Sequence, residues 1–297
     1  MTKYKFTLEP YKNIKSIFIC PECKKRTFKK YIDTLSGEYL DDTVGRCNRE
    51  IKCGNHKTPK QFFSQTGTSF NKLFRPLNLK IEYKETSFIS TELLLQSMQE
   101  YEVNNFVKFL IDLFDVEITQ NLIHKYFIGT SKNWRGASIF WQIDQLGNIR
   151  TGKIMLYDSH NGKRITEPIN HFNWVHTATN QINFNLKQCF FGAHLLNDPS
   201  KPIAIVESEK TAIISSAFFP DLIWLATGGI SHLTIEKCKA ITGRDVFLFP
   251  DIKGYEKWKA KANEYKKIAN FQVSDLLELI AVDQERKDGL DIADYLI

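Results

Sequence analysis

No apolar run in this sequence approaches the roughly 20 residues that a helical membrane span needs. The opening Met1-Thr2-Lys3-Tyr4-Lys5 is charged and leads into no stretch of signal-peptide length. A cytoplasmic protein with no membrane partner is the expectation. Cysteine is scarce, with six in 297 residues, and four of the six fall between positions 20 and 53. That clustering speaks against a disulfide framework and for a bound metal. Beyond residue 60 a net charge of either sign is also missing, with 26 Lys/Arg against 27 Asp/Glu.

The formal charge of +6 therefore belongs to the first 60 residues, which hold 14 basic and 7 acidic side chains. A concentrated positive field suits contact with a phosphate backbone; the plainer alternative is that surplus lysine only solvates the module. The length and the 42% hydrophobic composition fit a folded protein of two or three domains.

The clustered cysteines read Cys20-Pro21-Glu22-Cys23, then Cys47, then Cys53-Gly54-Asn55-His56. A Cys-x-x-Cys turn lets two thiolates reach one tetrahedral ion. The second half returns after two strand-like stretches, Thr27 to Ile32 and Glu38 to Val44, turned at Ser36-Gly37. The layout is that of a zinc ribbon over residues 1–63, with Cys20, Cys23, Cys47 and Cys53 the preferred ligands and His56 in place of Cys47 the alternative. A redox pair at Cys20 and Cys23 is the competing reading, but such pairs normally sit at a strand-to-helix junction of a larger domain. A closed site of this type is structural, and its Zn²⁺ drives the folding of a segment too small to build its own core. Cys189 and Cys238 sit in apolar surroundings and read as core residues.

Residues 64–89 mix Gly, Pro, Asn and Lys without a sustained period and read as a linker. A mixed α+β segment follows over 90–200. Helical spacing is expected from Ser90, over Val103 to Phe114 and over Ile118 to Tyr126, with Phe106, Val107, Phe109, Leu110 and Leu113 as a packing face. From Ile139 the period changes to two, with turns at Gly147-Asn148 and Asn161-Gly162. Arg150, Lys153, Lys163 and Arg164 recur along these hairpins. They either line a groove for a nucleic-acid strand or a triphosphate, or form a solvated face.

The last hundred residues alternate strands (203–206, 222–226, 245–249, 270–273) with helices (209–218, 232–241, 255–268) and read as a parallel sheet with flanking helices over 201–297. Glu207 closes Ile203-Ala204-Ile205-Val206, and Asp251 follows Val246-Phe247-Leu248-Phe249-Pro250. Ligands of such sheets bind beyond the carboxyl ends of the strands, so both carboxylates belong on the binding edge. Two neighbouring carboxylates repel unless a cation lies between them, which points to a divalent metal and phosphate chemistry.

Ile-Ala-Ile-Val-Glu-Ser-Glu-Lys-Thr-Ala, Ala-Thr-Gly-Gly and Phe-Leu-Phe-Pro-Asp-Ile-Lys-Gly, in this order, resemble the toprim domain of bacterial-type primases, topoisomerases and related nucleases. With the ribbon ahead of it, the whole chain resembles bacterial and phage or plasmid DNA primases, and in more detail a zinc-ribbon/toprim-like family associated with bacterial mobile elements. The resemblance implies Glu207 in acid–base or metal chemistry and Asp251 in holding Mg²⁺ or Mn²⁺. It implies as substrates and partners single-stranded DNA, nucleoside triphosphates and helicase or mobilisation proteins. The family's Asp-x-Asp is broken here by Lys253, either a phosphate clamp or a sign that polymerising activity is lost.

Glu209, Asp291 and Asp294 are candidates for the missing ligands. Gly289-Leu290-Asp291-Ile292-Ala293-Asp294-Tyr295-Leu296 resembles an acidic segment that follows toprim domains, or is simply a capped terminal helix. Lys210 is placed to approach phosphate, although surface solvation is the simpler account of it. The implied function is primer synthesis on single-stranded DNA by Mg²⁺-dependent nucleotidyl transfer. The alternatives are a non-catalytic DNA-binding replication or mobilisation factor, or a toprim nuclease. A topoisomerase fits least, since no DNA-gate domain with a candidate tyrosine accompanies the module.

Overall fold

The computed structural model describes residues 5–11, 14–34, 36–66 and 85–297. It divides into two compact units, Met1–Tyr83 and Lys84–Ile297. The central part of the expected linker, residues 67–84, lies outside the described residues.

In the first unit a long strand organises the rest. β1 (Phe6–Leu8), β2 (Phe18–Ile19) and β4 (Gly45–Cys47) all pair antiparallel with β3 (Arg26–Asp33), and β5 (His56–Lys57) pairs with β4. The return strand falls later than the expected Glu38 to Val44. Along that stretch the Asp41 carboxylate accepts from the Thr43 N–H at 2.8 Å and its hydroxyl at 2.6 Å, a turn that interrupts pairing after the lone Ile32–Tyr39 bridge. Pairing resumes at Gly45, where only a glycine fits, because a Cβ there meets the Phe28 ring at 2.6 Å. Phe28, Cys20 and Cys47 form the buried centre. Helix α1 (Pro59–Gln65) starts from a reciprocal Thr58–Gln61 capping box and lays Phe63 on Phe6, with ring centroids 5.7 Å apart.

The second unit begins with three helices: α2 (Thr91–Ser97), α3 (Asn105–Leu113) and α4 (Val116–Tyr126). Asn104 caps α3 by accepting from the Phe106 and Val107 N–H groups, and Asp115 caps α4 through the Ile118 N–H. The expected stripe is the packing face, with Phe106, Val107, Phe109 and Leu110 buried. An antiparallel sheet of order β6–β7–β8–β9 follows, from β6 (Gly129–Ser131), β7 (Ala137–Ile143), β8 (Ile149–Met155) and β9 (Phe172–Trp174). The β7–β8 turn uses Gly147 at φ +81°, a left-handed position that favours glycine.

The C-terminal sheet is parallel throughout. Its order is β11–β10–β12–β13, from β10 (Ile203–Val206), β11 (Ile223–Ala226), β12 (Asp245–Leu248) and β13 (Asn270–Val273). The central strand β10 is apolar at every position and fully buried, as a strand covered on both faces must be. Helix α5 (Glu209–Phe218) follows β10, α6 (Ile235–Cys238) follows β11 and α7 (Tyr255–Tyr265) follows β12. The expected 232–241 helix is instead a short α-helical turn with 3₁₀ turns on either side.

One core joins the two sheets of the second unit. Phe106, Leu110 and Tyr126 of the helices meet Phe140 and Met155 of the antiparallel sheet and Val206, Ile213 and Trp224 of the parallel layer. Tyr126 stacks on Phe191 at 5.2 Å and donates its hydroxyl proton to the Trp224 carbonyl at 3.2 Å.

The reverse face of β8 sets a strict size limit at Gly152. A Cβ there meets Ile139 Cγ2 at 2.6 Å, Val175 Cγ2 at 2.7 Å and Trp141 Cε3 at 2.9 Å. Gly152→Ala should cost about 1–3 kcal/mol by overpacking. Urea unfolding followed by tryptophan fluorescence measures it, and the variant should keep its full zinc content.

Candidate functional site

The first candidate centre is the Cys-rich pole of the ribbon. Cys20 and Cys23 flank a tight turn before β3, Cys47 ends β4 and Cys53 precedes β5, so both halves of the hairpin deliver two sulfurs. The four Sγ atoms all lie within 4.8 Å of one another, with Cys20–Cys53 at 3.7 Å and Cys23–Cys47 at 3.9 Å. Second contacts orient them: Asn55 Nδ2 donates to Cys20 Sγ at 3.5 Å, and the Thr27 hydroxyl lies 3.2 Å from Cys47 Sγ. A backbone hydrogen bond from Lys25 draws the Cys23 thiol down to about 6, while burial pushes Cys53 up to about 12. A divalent cation removes that disparity by making each coordinating thiol a thiolate. His56 stands apart from the four sulfurs. Its Nε2 hydrogen-bonds the Tyr31 hydroxyl at 3.0 Å and its ring stacks on Tyr31 at 6.1 Å and 8°. Among the described residues these four cysteines are the one group of three or more ligand-bearing side chains gathered tightly enough for a single ion. They form a four-cysteine zinc-binding cluster.

The second candidate centre lies at the carboxyl edge of the parallel sheet. β10 and β12 are direct neighbours, and so Glu207 and Asp251, which follow them, come together. Glu207 is 5% exposed, and its Oε1 accepts the Asp251 N–H at 3.4 Å. Asp251 is half-buried as a residue, yet its Oδ1 is sealed from solvent with no hydrogen-bond partner. Burial first, and then the negative charges of Glu207, Asp291 and Asp294, hold the Asp251 carboxyl well above the usual carboxylate range; Lys210 opposes them.

The terminal segment supplies those further acids. Asp291 caps a 3₁₀ turn, Ile292–Tyr295, and its other oxygen accepts the Thr211 hydroxyl proton at 2.7 Å. It thus serves as helix cap and as member of the acidic group at once. Lys210 departs from the solvated side chain expected of it: it is buried, with Nζ 3.3 Å from Asp294 Oδ1. Glu209, 1% exposed, turns from Asp251 toward the antiparallel sheet, where Lys153 Nζ meets its Oε2 at 2.8 Å while Oε1 has no partner. Lys253 is exposed at φ +73°; its backbone N–H donates to Glu278 Oε1 at 2.6 Å, and Glu278 in turn is held by Arg286.

The four hairpin cations do not share one surface. Strand alternation sends Arg150 and Lys153 to opposite faces of β8. Arg150 pairs with Asp144 at 2.7 Å and covers the Phe88 ring at 5.0 Å. Lys153 faces Glu209 and feels the charge of Arg164, which bridges to Tyr157; Lys163 is exposed at the turn. Burial outweighs Glu209 and lowers the Lys153 ammonium.

Three further residues complete the site, two glycines from segments quoted for the resemblance and one lysine that sequence reasoning passed over. Gly254 leaves room for the Glu207 carboxylate, since a Cβ there lies 3.0 Å from Oε1. Gly228, at φ +85°, donates its N–H to the Glu207 carbonyl at 2.9 Å. Lys237 is buried behind the Gly-Gly loop, donates to the Thr227 carbonyl at 2.7 Å and is drawn down to about 8 by burial. The Gly-Gly turn was readable; the lysine, on a helical turn of four residues, gave no signal.

A zinc ribbon followed by an α/β unit with carboxylates gathered at the carboxyl edge of a parallel sheet defines the class. A family model for a zinc beta-ribbon finger matches residues 4–68. The chain belongs to the family described as Domain of unknown function (DUF6371), whose model matches residues 104–252. No curated protein matches it. Among solved structures it is similar to the primase fragment of the bacteriophage T7 primase-helicase protein, with 13% identity and TM-score 0.39 over 92% of this chain and 98% of that one. It is similar also to the E. coli primase catalytic core, with 12% identity and TM-score 0.42 over 69% and 80% of the two chains. A third is the Aquifex aeolicus primase (zinc-binding and RNA polymerase domains), with 10% identity and TM-score 0.33 over 68% and 48%.

Two measurements check these centres. Purified protein should carry one equivalent of zinc that survives His56→Ala and is lost in Cys47→Ser together with ribbon structure, read by metal analysis and circular dichroism. Because the folded-state pKa of Asp251 is raised, the ionised carboxylate is disfavoured in the fold, and its contribution to stability declines as pH rises from the ordinary aspartate range through the raised value. In Mg²⁺-free buffer Asp251→Asn should therefore melt higher than wild type at neutral pH, by about 2–4 °C for each kcal/mol relieved. That advantage should vanish as pH falls to about 4.

Proposed function

We propose that this chain is a primase-like nucleic-acid-binding protein whose second unit is a toprim-type centre for divalent-metal-dependent nucleotidyl transfer. The carrying observation is the Glu207–Asp251 pair: two carboxylates on adjacent parallel strands, one bonded to the other's backbone, with Asp251 Oδ1 sealed and unpartnered. Such an excess of negative charge fits Mg²⁺ or Mn²⁺, which is commonly held by one or two carboxylates with the remaining positions left to water and substrate phosphates. Glu207 and Asp251 would hold the ion, with Asp291 and Asp294 beside them. When bound, the ion supplies charge neutralisation at phosphate oxygens.

The protein's own groups fill the other roles. Gly228 and Gly229, both at positive φ, bring backbone close to the Glu207 edge without side chains in the way. Lys153 fixes Glu209, and the exposed Arg164 near it gives a positive charge for triphosphate. The ribbon contributes a separate basic and aromatic face. On β3 and β4, Lys29, Tyr31 and Arg46 lie beside the stacked His56, and burial with the Arg46 charge holds Lys29 below its usual range. Glu50 reaches Arg46 at 3.6 Å from one side, and the stacked rings beside these two cations suit single-stranded DNA. On this reading the partners are single-stranded DNA, nucleoside triphosphates and a helicase or mobilisation protein, in replication of a mobile element.

A second reading, a non-catalytic accessory factor, is favoured by Lys253 in the position where the resemblance expects an aspartate. One experiment separates the two. Zinc-loaded protein is incubated with single-stranded DNA, labelled ribonucleotides and Mg²⁺. Short primers should form, and Glu207→Gln should cut their yield at least about a hundredfold while DNA binding persists. DNA binding without product over many templates, indifferent to Glu207→Gln, establishes the accessory role, and Mg²⁺-dependent cleavage of the strand establishes a nuclease.

A further inference from the structure

We propose that Lys210 is the built-in counter-ion of the carboxylate group: its ammonium holds the place of a divalent cation beside Asp251, Asp291 and Asp294, and yields it when the ion arrives. The proposal rests on the metal site of Glu207 and Asp251 argued above.

Lys210 lies in the first turn of α5, three residues beyond Glu207. The helix is buried from Glu209 to Ser216, and Lys210 within it is 8% exposed. Burying an ammonium is unfavourable unless anions offset the lost hydration. Those anions are Asp294, 3.3 Å from Nζ, and Asp291 and Asp251, on both of which Lys210 is the cation that opposes the mutual repulsion of the acids. The two other buried lysines of this region are already committed, Lys153 to Glu209 and Lys237 to the Thr227 carbonyl. One ammonium therefore faces Asp251, Asp291 and Asp294, with Glu207 beside Asp251, and a single cation leaves this group of four acids with room for a dication.

The geometry suits displacement. Asp294 holds Lys210 from the terminal turn, while Asp251 Oδ1 stays without a hydrogen-bond donor, so the ammonium neutralises the cluster electrostatically without ligating its central oxygen. A four-carbon stem lets the head group withdraw without backbone movement. The consequence is weak binding of a bare ion and stronger binding of an ion that arrives with phosphate, because phosphate gives the displaced ammonium a new partner.

The test titrates full-length, zinc-loaded protein with Mn²⁺ and follows the free-ion signal by electron paramagnetic resonance. Lys210→Gln should bind Mn²⁺ about tenfold more tightly than wild type, because a like charge has left the site. Lys210→Arg should keep wild-type affinity. Without Mn²⁺ the Gln variant should melt below wild type, and Mn²⁺ should restore it; should that variant fail to fold, Lys210→Met, which keeps the stem, reads the same quantity. Affinity unchanged or weakened in the neutral variants, with binding still lost in Glu207→Gln, overturns the counter-ion role and leaves the metal site standing. Absence of Mn²⁺ binding from wild type and neutral variants alike removes both.

Discussion

The pairing of β10 with β12 is the constraint on which the second unit depends. Once Ile203, Ala204 and Ile205 align with Val246, Phe247 and Leu248, the residues that follow each strand leave the sheet side by side, and Glu207 and Asp251 have no choice but to approach. The fully apolar β10 pins that register from both faces. Hydrophobic burial in the strands thus acts against electrostatic repulsion at their ends, and the raised Asp251 carboxyl records the tension.

Around that tension the protein distributes its cations unequally. Lys153 crosses from the antiparallel sheet to Glu209 in a pair whose side chains are 9% and 2% exposed. A buried pair of this kind adds little net stability, because the desolvation of both ions offsets their attraction. Its value is positional: it ties the first turn of α5, and with it the loop that carries Glu207, to a rigid strand of the other sheet. Arg150, only three residues away, is engaged by Asp144 at the hairpin turn. Neighbours in sequence therefore serve separate ends, one holding a site and the other closing a turn.

Much of this was legible in the sequence because the signals were local. Cys-x-x-Cys spacing, the Gly147-Asn148 turn and the apolar runs ahead of Glu207 and Asp251 are each read within a few residues, and they mark a ribbon, a hairpin and strand ends of a parallel sheet. What stayed hidden depends on three-dimensional partners. Nothing near Lys210 in sequence reveals that Asp294 waits 84 residues later to bury it. Likewise His56, a fair zinc ligand by spacing, is claimed by Tyr31 across the ribbon. The return strand escapes sequence reading for a smaller reason: Glu38 to Val44 has strand-like composition, and the Asp41 turn overrides it.

The single core beneath the two sheets bears on how such a protein can be taken apart. Val206 and Trp224 of the parallel layer pack into the same cluster as Phe106, Leu110 and Tyr126. A chimaera that grafts the acidic sheet alone onto another scaffold would leave these side chains facing water and expose one whole flank of the layer. Recombination that preserves folding of this unit has to move helices, hairpins and acidic edge together.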